Sequence, residues 1–294
     1  MKHYFLLLYF IACSSIGFSQ NYKVVGTYKG KTAQGMAVYD DYCFLLNNGG
    51  YCRIYDLQKE EVIGEYPLSS ASDNNHSNCA SFGVERVGDN TIPVLYISEC
   101  AGPTYRCFVE NMTLKGSNLV QTIQIKKGDK ILLVQNWIVD SKKKFLYTIS
   151  RLSSKPNENG EINNIIRKYR LPKLEEGEFV ILDENDKLDE FEVSFLNILQ
   201  GGYIRKNKLY LPVGMQSTYK GTPESVERAI IVVNLKKKKI TKKIDLMEVI
   251  QNEPEDLDFY NGNLLLFCGQ SGGLYHVNSS GVINNLLNSL INTN

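Results

Sequence analysis

The chain has 294 residues, 43% hydrophobic and 22% charged, enough to bury a large core as one domain or two. Its 33 basic and 32 acidic side chains leave a net charge of +1, which excludes a global attraction to nucleic acid or to anionic membrane. Eighteen tyrosines and twelve phenylalanines against one tryptophan lean the composition toward strands.

The amino-terminal end reads as a targeting segment. Lys2 and His3 precede an apolar run over residues 4–13, too short to span a bilayer, and small residues follow. The first reading is a signal peptide over residues 1–19, cleaved after Ser19, which leaves 20–294 as a single domain. The alternative is a lipobox at Phe10-Ile11-Ala12-Cys13, with Cys13 carrying a lipid anchor. Both readings export the chain to the periplasm, the outer membrane or the cell surface, and no later stretch is apolar enough to cross a bilayer.

Residues 22–28 form an isolated strand pattern. Residues 34–68 then hold four short runs of aromatic, β-branched and leucine residues, each closed by Asp, Asn or Gly, the residues that supply the positive φ of tight hairpins. Four antiparallel strands in about 35 residues are the size of one propeller blade, which cannot bury both faces alone and needs stacked neighbours. A second unit starts near Cys79 and ends at residues 119–125. The third runs from 131–140 through 145–152 and 165–171 to a fourth strand near 178–182. The fourth covers 199–205, 209–215, 229–235 and 240–246, and a shorter fifth covers 255–260, 264–270 and 273–277.

Second strands begin near Tyr42, Val94, Phe145, Leu209 and Leu264, intervals of about 52, 51, 64 and 55 residues. The expectation is an all-β fold, a β-propeller of five blades, closed by pairing of the amino-terminal strand with the last blade, which removes open edges. If residues 281–287 instead supply the missing strand, six blades stay open.

In a blade, successive connections alternate between two faces. The first-to-second turns (40–41, 88–90, 141–144, 206–208, 261–263) are short and polar and share one face. The second-to-third loops (47–50, 101–106, 150–164, 214–228, 269–273) and the blade-to-blade crossings share the other, and long loops on a rigid scaffold favour that face for binding.

First strands line the central channel and start at the loop-rich mouth. At those starts stand Gln34, Asn78, Gln135 with Asn136, Gln200, and Glu253 with Glu255 and Asp256. Amides and carboxylates around one opening suit water, a cation such as calcium, or the polar groups of a ligand. A propeller axis also needs polar side chains simply because it is wet. Ahead of the second unit, Asp73, Asn74, Asn75, His76 and Asn78 make the most ligand-like loop.

Other signals are weaker. His76 and His276 are the only histidines after the leader, and HExxH and CxxC spacings are absent, which argues against a zinc site. Residues 183–190, DENDKLDE, lack the glycine of a calcium loop and read as a solvated acidic connection. GxGxxG, GxxxxGK[ST] and GxSxG do not occur. Lysines at 142–144, 206, 208 and 236–239, with Arg205, crowd the short-turn face, either as an anion-facing patch or as solubilising hairpin tips. Cys100 and Cys107 bracket a six-residue loop and are expected to form a disulfide, while Cys43, Cys52, Cys79 and Cys268 have no partner that spacing defends.

The segments AQGMAVYDDYCFLLNNGGYCRIYDL and EPEDLDFYNGNLLLFCGQSGGLYHV resemble the repeat style of bacterial secreted propellers, and Thr32-Ala33-Gln34-Gly35-Met36 is similar to the TQGL-like opening of the five-bladed glutaminyl cyclases. That resemblance implies Gln34, Glu253 and Glu255 around an amino-terminal glutamine. Later blades depart from it: Gln135-Asn136-Trp137 and Gln200-Gly201-Gly202 lack the carboxylate that would move a proton.

The functional expectation is a non-catalytic recognition propeller of the bacterial envelope, holding a glycan, a peptide or an envelope protein through its loop-rich face. The alternative is an enzyme at the channel mouth, a lyase, hydrolase or glutaminyl-cyclase-like protein. It would use Glu253 or Glu255 as general base, His76 as acid, and Gln34, Asn78 and Gln135 to orient substrate or a calcium ion.

Overall fold

Turn chemistry and strand propensity act together in a computed structural model that describes residues 21–100, 102–153, 155–196, 198–215, 227–247, 250, 252–269 and 272–276. The leader with its Ser19 and Cys13 readings, and residues 281–287, lie outside the described residues. An amino-terminal strand β1 (Asn21–Val24) precedes blade 1, made of β2 (Ala33–Tyr39), β3 (Tyr42–Asn47), β4 (Tyr51–Asp56) and β5 (Glu61–Pro67). Blade 2 holds β6 (Ala80–Phe82), β7 (Leu95–Ser98), β8 (Cys107–Met112) and β9 (Ser117–Lys127), with a short β10 (Lys130–Ile131) added to β9. Blade 3 holds β11 (Asn136–Asp140), β12 (Phe145–Arg151) and β13 (Ile162–Arg170). A 3₁₀ turn (Leu174–Glu176) and β14 (Phe179–Leu182) come before its last strand, β15 (Lys187–Phe195). Blade 4 is β16 (Tyr203–Arg205), β17 (Lys208–Val213), β18 (Ala229–Asn234) and β19 (Lys239–Asp245); blade 5 is β20 (Pro254–Tyr260), β21 (Asn263–Cys268) and β22 (Gly273–His276).

Five blades form the propeller, and β1 completes the fifth by pairing antiparallel with β22, Tyr22 opposite Tyr275. Inner strands meet around the axis: β2 touches β6, β6 touches β11, β11 touches β16, and β20 touches both β2 and β17 of blade 4. The chain therefore closes its own ring without leaving the inner edges open. Turn residues behave as their chemistry requires: Lys206 and Asn207, and likewise Asn261 and Gly262, have positive φ, the backbone of a two-residue hairpin turn.

The core is divided as the blades are. Five clusters of buried side chains each lie between two adjacent blades, because successive residues of a strand point to opposite neighbours. In β17, Leu209, Leu211 and Val213 pack toward blade 3 while Tyr210 packs toward blade 5. Trp137, fully buried, anchors the seam between blades 2 and 3. A large apolar side chain buried this way contributes about 1.5–3 kcal/mol.

Two expectations fail here. Residues 178–182 do not close blade 3: β14 crosses to blade 2 and pairs parallel with β9, Phe179 opposite Thr122 and Leu182 opposite Ile125. Its place in blade 3 goes to β15, so the stretch 183–190, solvated as expected, is a turn followed by the first half of a strand rather than a connection throughout. The long β9 leaves an outer edge on which β14 can lay its ladder, and Val180 and Leu182 thereby enter the seam between blades 2 and 3.

The Cys100–Cys107 disulfide is also not formed; all six described cysteines are free thiols. Register explains why. The residue opposite Cys107 is Ser98, and the Cys107 side chain points into the seam with Trp137. A buried carboxylate fastens this loop instead: Glu99 accepts from Thr104 Oγ1 at 2.6 Å, from the Arg106 backbone N–H at 2.7 Å and from Arg106 Nη2 at 2.8 Å.

Candidate binding site at the channel mouth

At the axis the inner strands are tied together by one side chain. Asp256, fully buried on β20, accepts backbone N–H bonds from Met36 on β2 (2.9 Å), Ala80 on β6 (3.2 Å), Gly202 just before β16 (2.8 Å) and its own neighbour Leu257 (2.9 Å). Blades 1, 2, 4 and 5 thus share one carboxylate. The approach requires glycine: a Cβ on Gly201 would lie 2.0 Å from Asp256 Oδ1. Burial raises the Asp256 pKa well above the carboxylate range, and the four N–H donors oppose that rise. Blade 3 joins through Asn136, whose Nδ2 donates to the Gln200 carbonyl, and through Trp137 N–H, which donates to Ser98 Oγ at 2.9 Å.

Two residues along β20, Asp258 accepts from the Val38 N–H at 2.7 Å and the Phe259 N–H at 2.6 Å. Burial pushes its pKa up to about 7, against those donors, Tyr203 and Arg205. Asp258 was not singled out from sequence, although the alternation Asp256-Leu257-Asp258 puts both carboxylates on one side of the strand.

Above this hub opens a cavity of ≈ 290 Å³, lined among others by Gln34, His76, Asn78, Gln135, Gln200, Glu253 and Glu255. The strand starts named from sequence therefore converge. Two of them do not line it, Asn136, which lies buried beside Asn78, and Asp256, which forms the hub; of the loop ahead of the second unit, Asp73, Asn74 and Asn75 do not line it either, and Asp73 is exposed. Thr32, Cys100, Ile198, Leu199 and Met215 also line the cavity and were not anticipated. They sit in crossings and loops, where no strand period fixes direction.

The orientation of these amides is built. Asn136 gives its Nδ2 to Gln200 and so turns its Oδ1 toward Asn78 Nδ2 at 3.5 Å, which leaves Asn78 Oδ1 facing away. Gln200 Nε2 donates to the Gly214 carbonyl at 3.1 Å and to Glu253 Oε1 at 2.6 Å. Asn78 Oδ1, Gln34 Oε1 and Gln135 Oε1 are buried and have no hydrogen-bond partner in the protein. An unsatisfied buried acceptor costs about 1–3 kcal/mol, and all three side chains line the cavity.

Charge at the mouth is tuned by burial. Glu255, nearly inaccessible, has its pKa raised well above the usual range, first by desolvation and then by the negative fields of Glu253 and Asp256. Burial lowers the pKa of His76, whose Nδ1 lies 3.1 Å from Asn48 Oδ1, so its imidazole is neutral at neutral pH. Burial also pushes the Cys100 thiol up to about 12, which leaves it a packed group rather than a nucleophile. Among the described residues no three His, Cys, Asp or Glu side chains group to hold a metal ion, so a cation here would rest on amide oxygens and the two glutamates. Among those residues, too, no helix is long and apolar enough to cross a membrane.

No family model and no curated protein matches the sequence. Solved structures do. The chain is similar to the glutaminyl cyclase of Myxococcus xanthus at 9% identity and a TM-score of 0.47, covering 86% of this chain and 92% of that one. It is also similar to Kuenenia stuttgartiensis hydrazine synthase, at 10% identity and a TM-score of 0.42, over 80% of this chain and 61% of that one. A third likeness is to the Neurospora crassa Pan2 WD40 domain, at 9% identity and a TM-score of 0.35, over 83% of this chain and 62% of that one. The likeness is one of architecture.

Proposed function

We propose that the protein is a recognition propeller of the cell envelope that binds a donor-rich polar ligand, a glycan or a peptide segment, in the cavity at its channel mouth. The observation that carries this reading is the trio of unpartnered amide oxygens of Gln34, Asn78 and Gln135 around that cavity. Ligand hydroxyl or N–H groups would satisfy them, and Glu253 and Glu255 add acceptors at one side. The export reading supplies the envelope location.

A second reading, an enzyme at the same mouth, draws support from Glu255. A buried carboxyl with a raised pKa holds its proton to higher pH than a free one and can deliver it, and the neutral His76 imidazole lines the same cavity.

The test begins by screening the purified chain against a glycan array and a peptide library, then measures affinity and ligand integrity by calorimetry and mass spectrometry. Recognition predicts an intact ligand bound by the parent protein and lost about tenfold or more in the Gln34→Ala, Gln135→Ala double variant. Turnover of the ligand that stops in Glu255→Gln, with the fold retained, would favour the enzyme and overturn the recognition reading.

A further inference from the structure

On the short-turn face, blades 3 and 4 leave a second cavity of ≈ 330 Å³ lined by Lys143, Tyr147, Lys168, Asp189, Phe191, Asn207, Leu235, Lys236 and Lys238. Its geometry follows from two tip-to-tip contacts. At one, Lys143 in the β11–β12 turn donates to Asn207 Oδ1 in the β16–β17 turn. At the other, Lys238 in the β18–β19 turn reaches Asp189 Oδ1 on β15 at 2.5 Å. Between them Tyr147, Lys168 and Asp189 form one cross-strand row of blade 3, and Tyr147, Phe191 and Leu235 belong to the apolar seam between the two blades.

The charge of this cleft is unbalanced. Four lysines line it against one carboxylate, Asp189; a second carboxylate, Asp140, lies 3.8 Å from Lys143. Lysines 142, 144, 206, 208, 237 and 239 neighbour these in the same hairpin turns, in a chain whose total charge is only +1. The field acts on groups already present. Lys238 and, more weakly, Lys168 hold Asp189 below its ordinary pKa, and Lys208 adds to burial in lowering Lys242. Burial, reinforced by Asp140 and Asp189, pushes the Tyr147 phenol up to about 12, so it stays a neutral O–H group.

We propose that this cleft is a binding site for the phosphate or sulfate ester of a carbohydrate. Four lysines line one recess; Lys143 and Lys238 are also paired with Asp140 and Asp189, and Lys168 lies over the Phe145 ring, so a tetrahedral oxyanion there would meet donors from more than one side. Phe191 and Leu235 offer an apolar wall for the C–H face of a sugar ring, while Asn207 and Tyr147 supply polar groups for its hydroxyls. The volume equals that of on the order of ten waters, room for a monosaccharide ester. An ester headgroup of a lipid shares the anion chemistry. It would be presented by a flat surface, which the hairpin tips meet before the recess does.

The experiment uses the full mature chain and calorimetric titration at low salt with glucose 6-phosphate, glucose 6-sulfate, glucose, inorganic phosphate and phosphatidylglycerol vesicles. Both esters are expected to bind, more tightly than inorganic phosphate and with affinity falling as salt rises, while glucose does not bind. The triple variant Lys143→Gln, Lys236→Gln, Lys238→Gln should lose about tenfold or more. Lys236→Gln, which disturbs neither tip contact, should lose about threefold and keeps the test valid if the triple variant folds poorly. Lys155→Gln, in a loop of the opposite face, should bind as the parent does. Unchanged affinity in both cleft variants, esters no better than inorganic phosphate, or binding to vesicles alone would each overturn the proposal.

Discussion

The two faces of the ring are built from the same ladders and carry opposite chemistry. At the mouth, crossings and long loops bring amides and two glutamates over a buried carboxylate, with no Lys or Arg among the described residues of the cavity lining. On the other face, hairpin tips carry lysines that line a cleft between blades 3 and 4, where they outnumber the carboxylates Asp189 and Asp140. The difference teaches that strand direction sets the electrostatics here: a position at the start of an inner strand is a mouth position in every blade, and a position in a first turn is never one.

The most drastic way to break the comparison is to remove what both faces stand on. Asp256→Ala would leave the N–H groups of Met36, Ala80, Gly202 and Leu257 without their acceptor, at about 1–3 kcal/mol for each buried group. That total is comparable with the whole stability of a domain, roughly 5–15 kcal/mol. Urea denaturation should find no cooperative transition, or a midpoint lowered so far that neither face binds. Gly201→Ala, which drives a Cβ into Asp256, should act in the same direction.

A smaller effect comes from pH. A carboxyl whose pKa rises on folding holds its proton more tightly in the folded chain, so its contribution weakens as pH climbs from the unfolded to the folded value. For Asp258 that window runs from 3.8 to about 7. Within it each such group lowers stability by about 1.4 kcal/mol per pH unit. Denaturation between pH 5 and 7 should show stability falling with pH, Asp258→Asn should flatten the slope, and a slope of the opposite sign in the parent would contradict the assigned burial.

The repeat made much of this visible in advance. Gln34, Asn78, Gln135, Gln200, Glu253 and Glu255 were reachable because their place in the unit fixes face and depth together. The role of Asp256 was not, since its acceptor bonds join residues 220, 176 and 54 positions away in sequence. The segment over residues 178–182 has strand chemistry at the spacing of a fourth strand, and propensity alone does not say which edge a strand will take. The true fourth strand, β15, is the outer strand of its blade and carries Lys187, Asp189, Glu190 and Glu192, so its acidic beginning reads as a connection. Cys100 and Cys107 failed for a register reason that a count of loop residues does not contain.

Selective damage sharpens the contrast between the faces. The Gln34→Ala, Gln135→Ala double variant should weaken the mouth ligand about tenfold, about 1.4 kcal/mol, and leave ester binding unchanged, while the lysine triple variant should do the reverse. Loss of both activities in either variant would mean that the two sites are not separate. The smallest expected effect is that of reductant. With all six described cysteines as free thiols, dithiothreitol should shift the melting temperature by less than about 1 °C, and the unfolded chain should titrate those six thiols without prior reduction.

The most direct test is a crystal structure of the chain with the ligand selected by the array or library. N–H or O–H groups of that ligand should lie within hydrogen-bond distance of Gln34 Oε1, Asn78 Oδ1 and Gln135 Oε1. A ligand seated elsewhere, with those three oxygens turned onto protein donors, would contradict the account.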